Sequence, residues 1–168
     1  MANIPTEEIF SMPMKTGVNG KVVSSKPLIY NGNVIDEFTL IFKDGKVVEF
    51  DAKEGKGSLE NLLNTDIGSR YLGEVALVPY NSPISNTGIL FYNTLFDENA
   101  SCHLAFGEAY SSCIKDGNTL KDEEKESVGM NVSLNHEDFM IGTSDLSIVG
   151  ETFNGEKIEI FKNGDWAI

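Results

Sequence analysis

Three Asx-Gly pairs flanked by β-forming residues constrain the fold of this chain more than any other feature of its sequence. Asp44-Gly45 interrupts an alternating apolar segment at 38–50, while Asn154-Gly155 and Asn163-Gly164 divide the segment 146–168. Asx-Gly pairs accept the positive φ angles of tight hairpin turns. The sequence therefore predicts a hairpin around Asp44-Gly45 and an antiparallel meander at the end of the chain.

The segment "GSLENLLN" at 57–64 predicts a short helix between these β-rich regions. Ser58 is a favourable N-cap, and Leu59, Leu62 and Leu63 fall on one helical face.

Three further segments complete the expected pattern. Residues 73–80 predict a strand that is broken at Pro79, and residues 88–96 predict a strand that passes into a helix. The charged residues 116–127 predict an exposed loop or a turn of helix. The expected fold class is α+β, a β-rich single domain with antiparallel hairpins and a few short helices.

The charge and hydropathy of the chain exclude two classes of partner. A formal net charge of −13 over 168 residues argues against nucleic acid, because nucleic-acid binders need a basic face. No apolar run has the length of a membrane span, and the first residues lack a signal peptide. We therefore expect a cytoplasmic protein, in which Cys102 and Cys113 are free thiols rather than a disulfide.

Two histidines and several carboxylates are the candidate chemical groups. His136 and Asp138 are two residues apart in a segment that predicts a strand, so their side chains share a face. Imidazole and carboxylate together suit Zn, Co or Mn, but a simple hydrogen bond at a strand edge is the favoured interpretation on spacing alone. His103 lies near Tyr110, and an ordinary helix with a buried histidine is the favoured interpretation there.

Two glutamate positions have similarly open interpretations. Glu74 begins a run that otherwise predicts a buried strand, where a carboxylate needs a partner or a metal. Pairing with Arg70 and exposure at the strand end are the alternatives. Glu7 or Glu8 is expected to cap a helix beginning at "EEIF".

Four motifs in the chain together resemble one family, the metallo-aminopeptidases of the aminopeptidase T, aminopeptidase S and PepS type. The motifs are "NIPTEEIF", "GEVALVP", "LFDENASCHLAFGEAY" and "HEDFMIG", in the family's order and near its spacing. The resemblance covers essentially the whole chain. It implies that residues 1–168 form the C-terminal metal-binding, catalytic domain, without the large N-terminal domain of the family.

The resemblance also implies a two-metal site and a reaction. The expected metal ligands are Glu8, Glu74, Glu98, His103, His136 and Asp138, with Glu74 bridging two divalent ions and also acting catalytically. Tyr110 is expected to be an active-site residue. The ions would be Zn, Co, Mn or Mg, the substrates would be peptides with a free N-terminus, and the protein would be a homodimer.

Two functions from different classes follow. The first is a metal-dependent exopeptidase that releases N-terminal amino acids with a metal-activated water. The second is a catalytically inert fragment that serves as a folded dimerisation or scaffold module.

Overall fold

The computed structural model describes residues 8–168. They contain eleven strands and four short α-helices, joined by loops and 3₁₀ turns. All pairings between these strands are antiparallel. The α+β class with few short helices is therefore confirmed. The strands are β1 (Ile9–Ser11), β2 (Gly20–Val23), β3 (Leu28–Tyr30), β4 (Asn33–Lys43), β5 (Lys46–Glu54), β6 (Leu72–Leu77), β7 (His103–Gly107), β8 (His136–Met140), β9 (Ile148–Glu151), β10 (Lys157–Lys162) and β11 (Asp165–Trp166). The helices are α1 (Lys56–Leu63), α2 (Pro83–Asn86), α3 (Thr94–Asp97) and α4 (Asp122–Ser127).

The three Asx-Gly turns form as predicted. Asp44 and Gly45 have φ angles of 49° and 84°, and they join β4 to β5 with Lys43 paired to Lys46. β2 and β3 also pair with β4. Asn154-Gly155 lies between β9 and β10, and Asn163-Gly164 lies between β10 and β11, which completes the three-stranded meander.

Helix α1 begins earlier than expected. The structure places its N-cap at Gly55, so the prediction of Ser58 as the cap is wrong. Gly55 has a φ of +71°, and a Cβ there would lie 2.1 Å from the Val34 carbonyl oxygen, so only glycine fits this close turn out of β5. The predicted apolar face is confirmed, since Leu59, Leu62 and Leu63 are all fully buried.

The apolar segment at 88–96 does not contain the expected strand. Its first residues are irregular and only its end belongs to a helix, α3. The buried carboxylate of Asp97 accepts the backbone N–H groups of Phe91 and Asn93, which bends the segment and withdraws two of its backbone donors from strand pairing. Tyr92 adopts a positive φ of 56° at this bend. The segment therefore carries its apolar side chains on the surface, with Tyr92 64% exposed.

The charged segment 116–127 forms a 3₁₀ turn at Gly117–Thr119 followed by α4, in agreement with the predicted loop or turn of helix. Cys102 and Cys113 are free thiols, which confirms the prediction that they form no disulfide. Within the described residues, no helix combines the length and apolar character that crossing a bilayer requires.

A four-stranded sheet in the order β1-β6-β7-β8 has one face on the hydrophobic core. Leu104, Phe106 and Phe139 point from that face into a cluster with residues of β4 and α1. The rings of Phe106 and Phe139 stack with centroids 4.4 Å apart. Side chains alternate between the two faces of a strand. Packing of one face on the core therefore also fixes the position of the residues on the other face.

Candidate metal centre

The register of the β1-β6-β7-β8 sheet brings the predicted polar residues together on its other face. Ala105 on β7 is in register with Glu74 on β6 and with Asp138 on β8. Gly107 is in register with His136. On this face β7 contributes Ala105 between the flanking carboxylates, with His103 two residues earlier on the same strand.

Both histidines are on strands. The interpretation of His103 as part of a helix is wrong, because His103 begins β7 and is in register with Ala76 and Met140 on the two neighbouring strands. The prediction that His136 and Asp138 lie on a strand with their side chains on one face is confirmed. They share one face of β8, with His136 Nε2 3.3 Å from Asp138 Oδ1.

Glu74 is buried on β6, with 3% of its surface exposed. Neither strand-end exposure nor pairing with Arg70 describes its environment. Arg70 instead donates to Asn64 Oδ1 at 2.7 Å and lies over the ring of Phe50. The Glu74 carboxylate faces the two imidazoles, since its Oε1 lies 3.5 Å from His103 Nε2 and its Oε2 lies 3.7 Å from His136 Nε2.

Glu8 lies directly before β1 and reaches the same face of the sheet. The expectation that "EEIF" begins a helix is wrong for the described residues, because Ile9–Ser11 pairs with β6, and Glu7 lies outside the described residues. The Glu8 side chain is 1% exposed, and its Oε1 lies 3.8 Å from His103 Nε2.

The side-chain atoms converge in two groups that share one residue. Ligand atoms of Glu8, Glu74 and His103 lie within 4.8 Å of one another, and so do those of Glu74, His136 and Asp138. Glu74 is common to both groups and therefore stands between them.

Glu98 and Tyr110 lie at the edge of these groups. Glu98 is buried with 7% exposure, and its carboxyl hydrogen-bonds to that of Asp138. The Tyr110 ring centroid is 4.5 Å from that of His136, and Tyr110 keeps 42% of its surface exposed. The structure thus brings all the predicted site residues to one place, with Tyr110 on the side open to solvent.

The crowding of carboxylates changes the proton affinity of the histidines. Burial alone would lower their pKa values, but the neighbouring carboxylates outweigh it. The Glu74 carboxylate, 3.5 Å from His103 Nε2, and the charges of Asp138 and Glu8 raise the pKa of His103 to about 9. The carboxylate of Asp138, 3.3 Å from His136 Nε2, likewise raises the pKa of His136 to about 9.

Two of the carboxyl groups in the centre, Glu8 and Glu98, hold their protons more tightly than usual. Burial, assisted by the charges of Glu74 and Asp138 against the opposing effect of His103, raises the pKa of Glu8 to about 7. Burial and the charge of Asp138 raise the pKa of Glu98. Burial acts in the same direction on Asp138, but the neighbouring imidazoles of His136 and His103 outweigh it and lower the pKa of Asp138. The cluster has an excess of negative charge that a bound cation would balance.

Several polar atoms of the cluster are buried without a hydrogen-bond partner among the described residues. They include Glu74 Oε2, His103 Nε2 and Asp138 Oδ1. An unsatisfied buried polar atom is costly, and each of these atoms is a lone-pair donor directed into the cluster. Carboxylate oxygens with imidazole nitrogens are a suitable donor set for a divalent ion such as zinc. The residues present therefore fit a metal.

The sequence did not reveal two contributors to the site. The backbone carbonyl of Glu108 accepts a hydrogen bond from His136 Nδ1 at 2.7 Å, and a main-chain group leaves no signal in residue type. Phe10 lies on the site face of β1 and packs edge-on against Tyr110 at 5.8 Å. The alternation "EEIF" would have revealed Phe10 if the segment had been interpreted as a strand.

A profile of the family described as thermophilic metalloprotease (M29) matches residues 1–166. Aminopeptidase 2 of Geobacillus stearothermophilus is 59% identical over 165 residues, covering 98% of this chain and 40% of the relative. Aminopeptidase AmpS of Bacillus subtilis (strain 168) is 56% identical over 167 residues, covering 99% of this chain and 41% of the relative. This chain thus spans about two fifths of the length of these relatives.

A solved structure gives the same match in three dimensions. The structure titled wild-type AmpT from Thermus thermophilus superimposes with a TM-score of 0.91 at 40% sequence identity. The superposition covers 99% of this chain and 41% of that one. The described fold is therefore the same as that of the matching 41% of the AmpT chain.

Proposed function

This chain belongs to the thermophilic metalloprotease (M29) family, and we propose that it is the metal-binding, catalytic portion of an aminopeptidase that removes N-terminal residues from peptides. The observation that carries the proposal is the sharing of Glu74 between two groups of converging ligand atoms. The named relatives are aminopeptidases, and the extent of the match supports the same substrate class here. The reaction is hydrolysis of the first peptide bond.

We assign six residues to a two-ion site. Glu8, Glu74 and His103 would hold one divalent ion, and Glu74, His136 and Asp138 would hold the other. Glu98, hydrogen-bonded to Asp138, would complete the second group or orient its carboxylate. More than four ligands on one sheet face exceed the needs of a single tetrahedral ion. Zn, Co, Mn and Mg are all compatible with this mixed donor set.

When bound, paired divalent ions lower the pKa of water and polarise a carbonyl group. The protein groups then have separate tasks. Glu74, buried on β6 between the two imidazoles, would accept a proton from the attacking water and return it to the amine that leaves.

Tyr110 has a position suited to the oxyanion. Burial, together with the charges of Asp138 and Glu74, raises the pKa of Tyr110 to about 12. Its hydroxyl therefore stays protonated at neutral pH and can donate a hydrogen bond to the developing negative charge. The Phe10 ring on one side and the His136 ring on the other fix the orientation of the tyrosine.

The cellular setting and assembly are also part of the proposal. Two free thiols in the described structure favour the reducing cytoplasm. A homodimer follows from the resemblance to the family, and the exposed side chains of Ile89, Tyr92 and Leu95 are candidate interface residues. Sedimentation equilibrium of the purified chain would test that assembly.

Metal-dependent release of an amino acid from its anilide tests the proposed reaction. We expect turnover with added zinc or cobalt and none after exhaustive chelation, with a matched His136→Ala variant inactive under both conditions. Turnover that survives chelation would contradict the metallopeptidase mechanism. A folded chain that binds neither ion nor substrate would favour the scaffold function instead.

A further inference from the structure

His136 is held by a main-chain carbonyl on the side away from the other ligands. Its Nδ1 atom lies 2.7 Å from the carbonyl oxygen of Glu108. A carbonyl oxygen only accepts hydrogen bonds, so Nδ1 must carry the proton. The neutral ring therefore presents an unprotonated Nε2 toward Glu74 and Asp138, at 3.7 Å and 3.3 Å.

The Glu108 carbonyl reaches this position through two unusual backbone features. Gly107 ends β7 with a φ of +93°, a conformation that glycine adopts without strain. Gly73 lies so close that a Cβ added there would be 2.1 Å from the Glu108 oxygen. The carbonyl thus occupies a narrow space between β6 and the imidazole ring.

Asn131 holds the backbone on both sides of Glu108. Its Nδ2 atom donates to the Gly107 carbonyl at 2.6 Å and to the Gly68 carbonyl at 2.8 Å. Its own main-chain carbonyl accepts the N–H of Ala109 at 3.0 Å. Asn131 is fully buried and contacts no metal-ligand side chain through these bonds. The residues before and after Glu108 are therefore both fixed by one side chain and its backbone.

We propose that Asn131 is a positioning residue, which aims the Glu108 carbonyl at His136 and thereby fixes the tautomer and orientation of the imidazole. The inference rests on the proposed function at one point, because the proposed function assigns His136 to metal binding. Groups that hydrogen-bond to a metal-binding side chain usually matter, since losing one weakens metal affinity by about 10- to 100-fold.

Imidazole ¹H–¹⁵N spectra of the metal-free chain test the inference without any bound ion. In alkaline solution, where the ring is neutral, the wild type is expected to show His136 as the Nδ1–H tautomer alone. Asn131→Ala is expected to show both tautomers. Zinc affinity, measured by competition with a chelating dye, should fall by about 10- to 100-fold in the same variant.

A matched control separates positioning from general loss of stability. Leu62→Ala removes a fully buried side chain in α1, so it weakens the fold without touching Glu108, and it should keep the wild-type tautomer and zinc affinity. If Asn131→Ala does not fold, Asn131→Leu, which fills similar space without a donor, is judged by the same spectra. A single Nδ1–H tautomer in the folded Asn131 variant would overturn the inference. Absence of zinc binding in the wild type would instead contradict the proposed function, and the tautomer comparison would still decide the role of Asn131.

Discussion

The Oε1 atom of Glu74 lies 3.5 Å from Nε2 of His103 on the neighbouring strand. Both side chains are almost fully buried, and the antiparallel pairing of β6 with β7 fixes their separation. A carboxylate and an imidazole that face each other inside a protein form either an ion pair or part of a metal site. The second imidazole on the other oxygen of Glu74 favours the metal site.

Bound zinc should stabilise the fold. At a free zinc concentration about 100 times Kd, each bound ion adds about 2.7 kcal/mol to the free energy of unfolding, which corresponds to a rise in Tm of roughly 5–11 °C per ion for a domain of this size. Asp138→Asn should lose the part of the rise that comes from the ion held with Glu74 and His136, because it removes a ligand charge from that group alone. The exposed control Glu151→Gln should retain it, and equal rises in both variants would exclude Asp138 as a ligand.

Tyr110→Phe tests the oxyanion role. Loss of one such donor typically lowers kcat by about 100- to 1,000-fold, and a smaller change in KM is expected because the bond strengthens in the transition state. The measurement is steady-state kinetics on an active preparation with an amino-acid anilide. Tyr92→Phe, which alters an exposed tyrosine, should leave kcat unchanged. An unchanged kcat in Tyr110→Phe would show that the hydroxyl has no role in the chemical step.

Gly73→Ala should destabilise the fold, since its Cβ would meet backbone atoms of Glu108 at 2.1 Å. We expect a loss of about 1–3 kcal/mol, the usual cost of overpacking, measured by urea unfolding. Gly57→Ala provides the opposite control, because Gly57 lies in α1 with open space around it. That change should stabilise the chain by about 0.5–1 kcal/mol. Equal effects of the two substitutions would mean that the Glu108 backbone moves freely.

Asp66 joins two loops near the site. Its carboxylate accepts the N–H of Leu134 at 2.6 Å and hydrogen bonds from Ser69 and Ser133 at 2.8 Å. Asp66→Asn places an amide donor against these donors and should lower the free energy of unfolding by about 1–3 kcal/mol at neutral pH. Asp145→Asn is the exposed control and should change it little.

The contribution of Asp66 should depend on pH with a defined sign. Burial acts to raise the pKa of Asp66, but the hydrogen bonds from Leu134, Ser69 and Ser133 outweigh it and lower that pKa below the ordinary value. The stabilisation is therefore complete above the unfolded-state pKa of about 3.9 and is lost as pH falls through the lower folded-state pKa. Urea midpoints of the wild type and Asp66→Asn should converge in acid. A constant difference across that range would contradict the assignment.

The sequence predicted the hairpins because their determinants are local. Asp44-Gly45 and Asn163-Gly164 form turns through their own backbone preferences. The face shared by His136 and Asp138 likewise follows from strand alternation alone. These features need no knowledge of distant residues.

The sequence failed where distant contacts decide the structure. His103 belongs to a strand because β6 and β8 pair with it on both sides. The segment that ends at α3 is bent by the buried Asp97 carboxylate rather than by its own propensity. Motif resemblance indicated which carboxylates converge, whereas their spacing along the chain could not, since Glu74 and Asp138 meet only through the register of three strands.

The zinc content of the purified chain tests the central claim most directly. After removal of loosely bound ions, elemental analysis should find two zinc ions per wild-type chain, and Glu74→Ala should lose both because both groups of ligands share that carboxylate. A Glu74→Ala chain that is folded and keeps one or two ions, or a folded wild-type chain that binds none, would contradict a centre built around Glu74.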